Sequence, residues 1–285
     1  MSRMTAAPTM RRRKLGAELK RLRLVAGLTM REAAKVLRAT ESKVSRMENG
    51  HVPFKQMDIE DLLDLYGVRD AATRAELVDL GRDTRAVGWW HTFSDAVPQD
   101  FELYLGLEAG AATVSAFTCG FIEGLLQTPA YATVLIRGAA PGASVSEVDR
   151  RVRLRLERQH RLADANPPHL RVIMDEAVLR RPIGGPEVFR DQLRHLVSCA
   201  QRPNITLQVL PFGRGWHPAV GRSFTILAFP EDVCADVVYV EEVGSSLYVE
   251  KPGATARYKR MLDELAVIAM PPDESVQLIR TISEE

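Results

Sequence analysis

Glu41, Ser42, Lys43, Ser45 and Arg46 place five short or forked hydrogen-bonding side chains within one stretch of six residues. Their chemistry is recognition of flat polar edges rather than bond making. An arginine fork matches O6 and N7 of guanine, and a carboxylate accepts from the amino group of cytosine. Arg46 and Glu41 are the candidates for those two contacts, with Ser42 and Lys43 beside them. Ser45 lies nearer the flank of the stretch, where a backbone contact is expected. Thr29 and Asn49 stand at helix ends, where side chain and backbone N–H are expected to hold a phosphate. Met30 offers only apolar contact, either packing or a thymine methyl.

Those side chains need a helix to carry them, and Leu15–Gly50 divides into three. Leu15, Leu19 and Leu22 recur at helical spacing, and Gly27 stops that helix. Thr29 with Glu32 three residues on has capping-box spacing for a second helix. Its apolar face is Ala33, Ala34 and Leu37, and the two alanines admit a close, steep crossing. Thr40, counted with the recognition residues, caps a third helix that buries Val44 and Met47 and ends at Asn49-Gly50. One helix held across the DNA backbone with the next presented to the major groove is the arrangement of a helix-turn-helix. Ile59, Leu62, Leu63 and Tyr66 predict a fourth helix, and Leu77 and Leu80 a fifth, ending near residue 85.

The segment Gly27-Leu-Thr-x-x-x-Ala-Ala, with its spacing to Ser42-Lys-Val-Ser-Arg-Met-Glu-Asn-Gly50, resembles the Xre-type (lambda-repressor-like) helix-turn-helix. The resemblance implies an all-α, five-helix DNA-binding head. It also implies an ion pair between Arg23 and Glu48 that locks the recognition helix and leaves part of the guanidinium for a phosphate. Many such proteins carry glutamine where Met30 stands, so specificity there is expected to be weaker or different.

Charge follows the same division. The whole chain of 285 residues is near neutral, at +1, but residues 1–60 hold 14 Lys and Arg against 6 Asp and Glu, a net of +8. The remainder is −7, a basic head on an acidic body. Residues 1–14 are read as a flexible basic arm in which Arg11, Arg12, Arg13 and Lys14 are available to phosphates. Residues 15–85 form the head, 86–99, with Trp89-Trp90, a hinge, and 100–285 the body. Three cysteines without a CxxC, Cys119, Cys199 and Cys234, suggest neither disulfide scaffold nor zinc ribbon. No apolar run is long enough to span a bilayer and residues 1–14 do not form a signal peptide, so a cytoplasmic location is expected.

In the body, residues 100–119 read as helical, as do 144–165, about 187–201, 254–269 and 273–283. Thr128-Pro129 opens another helix. The 144–165 helix carries Arg150, Arg151, Arg153, Arg155, Arg158 and Arg161, read either as internal salt bridges or as a face for an acidic partner. Short β-branched runs at LRVIMDE, ITLQVLPF, SFTILAF, DVVYVEE and SLYVE predict strands in a small, mostly antiparallel sheet. The fold class is therefore α+β.

Asp175, Glu176, Glu241, Glu242, His169 and His217 are the material from which an acid–base or metal site could be assembled, but their spacing matches no catalytic pattern. Neither a catalytic residue nor a metal or cofactor is expected. A ligand pocket lined by Phe212, Trp216 and His217 is the alternative. Trp89-Trp90, Gly124-Leu-Leu-Gln-Thr, Tyr131-Ala132, Arg158-Gln159, Leu210-Pro-Phe212 and Tyr239-x-Glu241, in that order, resemble the uncharacterised C-terminal domain found behind Xre-type heads in actinobacterial regulators. That resemblance implies a partner, commonly a small companion protein. The expected function is a homodimeric, sequence-specific transcriptional regulator of double-stranded DNA whose body binds a companion or small-molecule effector. The alternative is an antitoxin-like protein that neutralises its companion and autoregulates its operon.

Overall fold

Gly27 takes φ +70°, open to glycine and strained for other residues, and ends α1 (Pro8–Val25). The computed structural model describes residues 8–83, 88–230, 234–242 and 244–285. α2 (Met30–Val36), α3 (Glu41–Glu48), α4 (Gln56–Leu65) and α5 (Ala71–Asp83) follow. Leu15, Leu19, Ala33, Ala34, Val44, Met47, Phe54, Ile59, Leu62, Leu63 and Leu77 form one buried cluster. Gly16 lets α1 cross the end of α3: a Cβ there would lie 2.5 Å from the Glu48 carbonyl oxygen.

The expected flexible arm to residue 14 is corrected, since α1 already runs from Pro8. Met10 and Arg13 continue the buried side of that helix, and Arg13 packs its stem on Gly50. Residues 1–7 of the arm and 86–87 of the hinge lie outside the described residues.

The chain falls into two compact units. The first comprises residues up to Thr92, together with Glu102–Gly110 and Pro230–Cys234, so a segment expected in the body groups with the helices. Within that unit Met10 packs directly on Gly110, and Trp90 is buried while Trp89 is partly exposed.

α6 (Gln99–Gly110) ends sooner than the helix expected over 100–119. Thr113–Thr118 is instead a strand, β1, buried along nearly its whole length. A strand covered on both faces shows no polar alternation, so periodicity alone cannot tell it from a buried helix. In the second unit β1 is followed by α7 (Pro129–Ala139), α8 (Val145–His160), β2 (His169–Asp175), α9 (Glu176–Arg180), α10 (Pro186–Cys199) and β3 (Ile205–Leu210). Then come β4 (Phe224–Ala228), β5 (Val237–Glu242), β6 (Ser245–Val249), α11 (Pro252–Ile268) and α12 (Pro272–Glu284).

The sheet has the order β3-β2-β1-β4-β5-β6. β1 pairs in parallel with β2, and β2 with β3, the connections running through α7–α8 and α9–α10. β1–β4, β4–β5 and β5–β6 are antiparallel. Three of the five pairings are thus antiparallel, and β3 pairs in parallel at the edge beyond β2, not beside β4. Phe117, Ile173, Leu210, Phe224, Ile226 and Val238 share a core with Leu262 and Leu265 of α11. The molecule is α+β, a helical N-terminal region followed by a mixed sheet with flanking helices.

Candidate nucleic-acid interface

α3 begins at Thr40, whose Oγ1 accepts from the Lys43 N–H at 3.2 Å. Val44, Met47 and Glu48 are buried; Glu41, Ser42 and Arg46 are exposed, and Lys43, Ser45 and Asn49 half-exposed. Ser42, Ser45, Arg46 and Asn49 stand at i, i+3, i+4 and i+7, one stripe along the outer face. No partner engages the Lys43 or Arg46 side chain among the described residues, which leaves both cations for an external acceptor.

Arg23 and Glu48 hold α3 against α1. Nε donates to Glu48 Oε1 at 2.6 Å and Nη2 to Oε2 at 2.9 Å, with both side chains about 5% exposed. The bond to Glu48 holds the guanidinium firmly charged. Nη1 donates to the Leu28 carbonyl at 2.8 Å, so all three guanidinium nitrogens are engaged within the head and the pair is buried. The Tyr66 hydroxyl is buried without a hydrogen-bond partner among the described residues, and that burial, then the nearby Glu48 charge, raises its pKa well above the ordinary phenol value.

Two further expectations change. The Thr29 N–H and hydroxyl both donate to Glu32 Oε2, at 2.8 and 2.7 Å, while Thr29 Oγ1 accepts from the Glu32 N–H. The capping box occupies the donors that a phosphate would need and places a carboxylate beside them. Asn49 caps the C-terminus of α3 with its N–H bonded to Ser45 O. That end of a helix dipole repels anions, so only the side-chain amide remains for contact. Met30 packs partly buried against the helical core.

The groove between α2 and α3 supplies what sequence reasoning missed. It is lined by Arg31, Glu32, Ala34, Lys35, Ala39, Thr40 and Glu41. Arg31 and Lys35, four residues apart on α2, are exposed on one helix face. Their i, i+4 spacing and charge were the available signal.

In the second unit the other candidates separate. Phe212 and Trp216 are 58% and 81% exposed, whereas His217 is 5% exposed, so the two larger rings are open to solvent and the imidazole is covered. His217 Nε2 lies 3.6 Å from Asp175 Oδ2. Glu176 accepts from the Phe212 N–H and pairs with Arg180. His169 opens β2 and Asp175 closes it, about 20 Å apart at strand rise. Glu241 and Glu242 lie in the β5–β6 hairpin. The arginines of α8, and Arg161 just past its end, serve largely within the unit. Arg150 pairs with Asp95, Arg155 donates to Gln127, Arg158 stacks over Phe101, and Arg161 donates to the Ala111 carbonyl.

Residues 14–77 match the family model described as a helix-turn-helix domain, spanning nearly all of α1–α5. Residues 101–281, well over half the chain, match the model described as a domain of unknown function, DUF5753. The chain belongs to the DUF5753 family. In this member the DUF5753 match takes in the whole mixed sheet, and the N-terminal unit carries the helix-turn-helix. Neither the curated proteins nor the solved structures give a significant match. Among the described residues no helix is long and apolar enough to cross a membrane, and no cluster of His, Cys, Asp or Glu is placed to hold a metal ion.

Proposed function

We propose that this DUF5753 protein is a sequence-specific, Xre-type transcriptional regulator that reads the major groove of double-stranded DNA through α3. The observation that carries this reading is the solvent side of α3, polar and, among the described residues, unpartnered at Lys43 and Arg46, on a helix fixed from behind by Arg23–Glu48. Ser42, Lys43 and Arg46 contact base edges, with Glu41 at the helix start. Arg31 and Lys35 hold the phosphate backbone beside them, and Ser45 and Asn49 add flanking contacts.

One such head covers little DNA and binds weakly. Two heads in a homodimer gain by effective concentration and read a near-palindrome with half-sites about one helical turn apart. The DUF5753 domain supplies dimerisation and receives a partner or small-molecule effector. The test is selection of bound duplexes from a random pool by the full chain, followed by the same selection with Arg46→Ala. A two-half-site consensus that loses preference at one base pair in each half supports the reading. Failure to enrich any sequence overturns it.

A further inference from the structure

His217 stands out among the side chains of the second unit that bury a polar atom without a hydrogen-bond partner among the described residues. His217 packs edge-on against Phe117, ring centroids 5.4 Å apart, with Nε2 facing Asp175. Its Nδ1 is fully buried and has no hydrogen-bond partner among the described residues, and the same holds for the strand-end hydroxyl of Thr118. Buried polar atoms are nearly always satisfied, so an orphan of this kind needs an explanation.

The sheet topology accounts for where these atoms lie. β1, β2 and β3 are parallel and end at one edge of the sheet, where antiparallel β4 begins. The connection from β3 to β4 must therefore cross the ends of β2 and β1, three strand spacings or about 14 Å. His217 is midway along it and turns inward. Phe212, Trp216 and Val220 of the same connection stay exposed, as does Phe121 just beyond β1. Gly215 and Gly221, at φ +63° and +71°, flank the histidine. The carboxyl edge of parallel strands is the side on which open α/β sheets take ligands.

We propose that this edge binds a small planar molecule carrying one hydrogen-bond donor. Its ring stacks on Phe212 and Trp216, and its O–H or N–H donates to His217 Nδ1. In the tautomer that turns its Nε2 proton toward Asp175 Oδ2, 3.6 Å away, the Nδ1 lone pair is left to accept. The connection lifts about Gly215 and Gly221 to admit the ligand. This inference rests on the effector role proposed for the DUF5753 domain. Its test involves no DNA, so its failure leaves the role of α3 untouched.

The probes are 2-naphthol, a planar ring with one hydroxyl donor, and 2-methoxynaphthalene, which lacks the donor. Each is titrated into the full ¹⁵N-labelled chain while the Trp216 indole cross-peak, assigned with Trp216→Phe, is followed. Saturable binding of 2-naphthol, about tenfold tighter than its ether, is expected for one hydrogen bond. His217→Phe keeps a ring but removes the acceptor and abolishes the preference. Should that variant not fold, Phe212→Ala, at an exposed position, decides by weakening both probes at the Trp216 cross-peak. Equal affinity of the unmodified chain for the two probes overturns the proposal. So does absence of saturable binding, or binding that leaves Trp216 unmoved.

Discussion

Arg23 and Glu48 illustrate how a buried charge acts at the level of single residues. Both lie within the helical core, so removing one partner strands the other. Glu48→Ala is expected to destabilise the first unit by about 3–5 kcal/mol, whereas Arg23→Met with Glu48→Leu stays near neutral. Urea unfolding of the three chains distinguishes these outcomes, and equal losses in all three would mean that packing, not charge, sets the penalty. Arg46 is the opposite case, an exposed cation whose removal leaves the fold unchanged. On the proposed reading Arg46→Ala weakens operator binding by about 1–3 kcal/mol, measured by fluorescence anisotropy. Unchanged affinity would place the recognition surface elsewhere.

At the scale of elements, the short α3 depends on its ends. Thr40→Ala removes its N-cap bond and is expected to cost about 1 kcal/mol of stability, read as faster amide exchange along α3. The capping boxes of α2 and α8 carry a pH signature. Hydrogen bonds from Thr29 and from Ser144 hold the Glu32 and Glu147 carboxyls below their ordinary range. A folded-state pKa depressed in this way contributes stability above the unfolded carboxyl range, and that stability is lost as pH falls through the folded value. Glu147→Gln is therefore expected to flatten the acid limb of the unfolding profile while lowering stability at neutral pH. A profile of unchanged slope would show that the box contributes nothing.

At the scale of the whole molecule, the charge asymmetry between residues 1–60 and the remainder bears on binding. If Arg31, Lys35, Lys43 and Arg46 meet phosphates and bases, log affinity falls linearly with log salt, by about 0.9 for each phosphate neutralised. Lys35→Ala should reduce that slope by roughly one without changing the consensus. A slope the substitution leaves unaltered would remove Lys35 from the interface.

Local signals in the chain determined the helical head unaided: Thr29–Glu32, the Thr40 cap, Gly27, and the 3.6-residue recurrence of leucines all act within a few residues. The α+β class followed from β-branched runs of the same short range. Tertiary structure alone decided what depends on distant neighbours. β1 became a strand because β2 and β4 flank it, although its own residues carry no alternation. Arg23 found a third partner, the Leu28 carbonyl, that no local pattern announces. Thr29 kept its cap and lost its free donors, and His217 turned inward because the chain from β3 must cross two strand ends to reach β4. Periodicity records which side of an element is buried, but a side chain's remaining hydrogen-bonding capacity depends on what folding brings beside it.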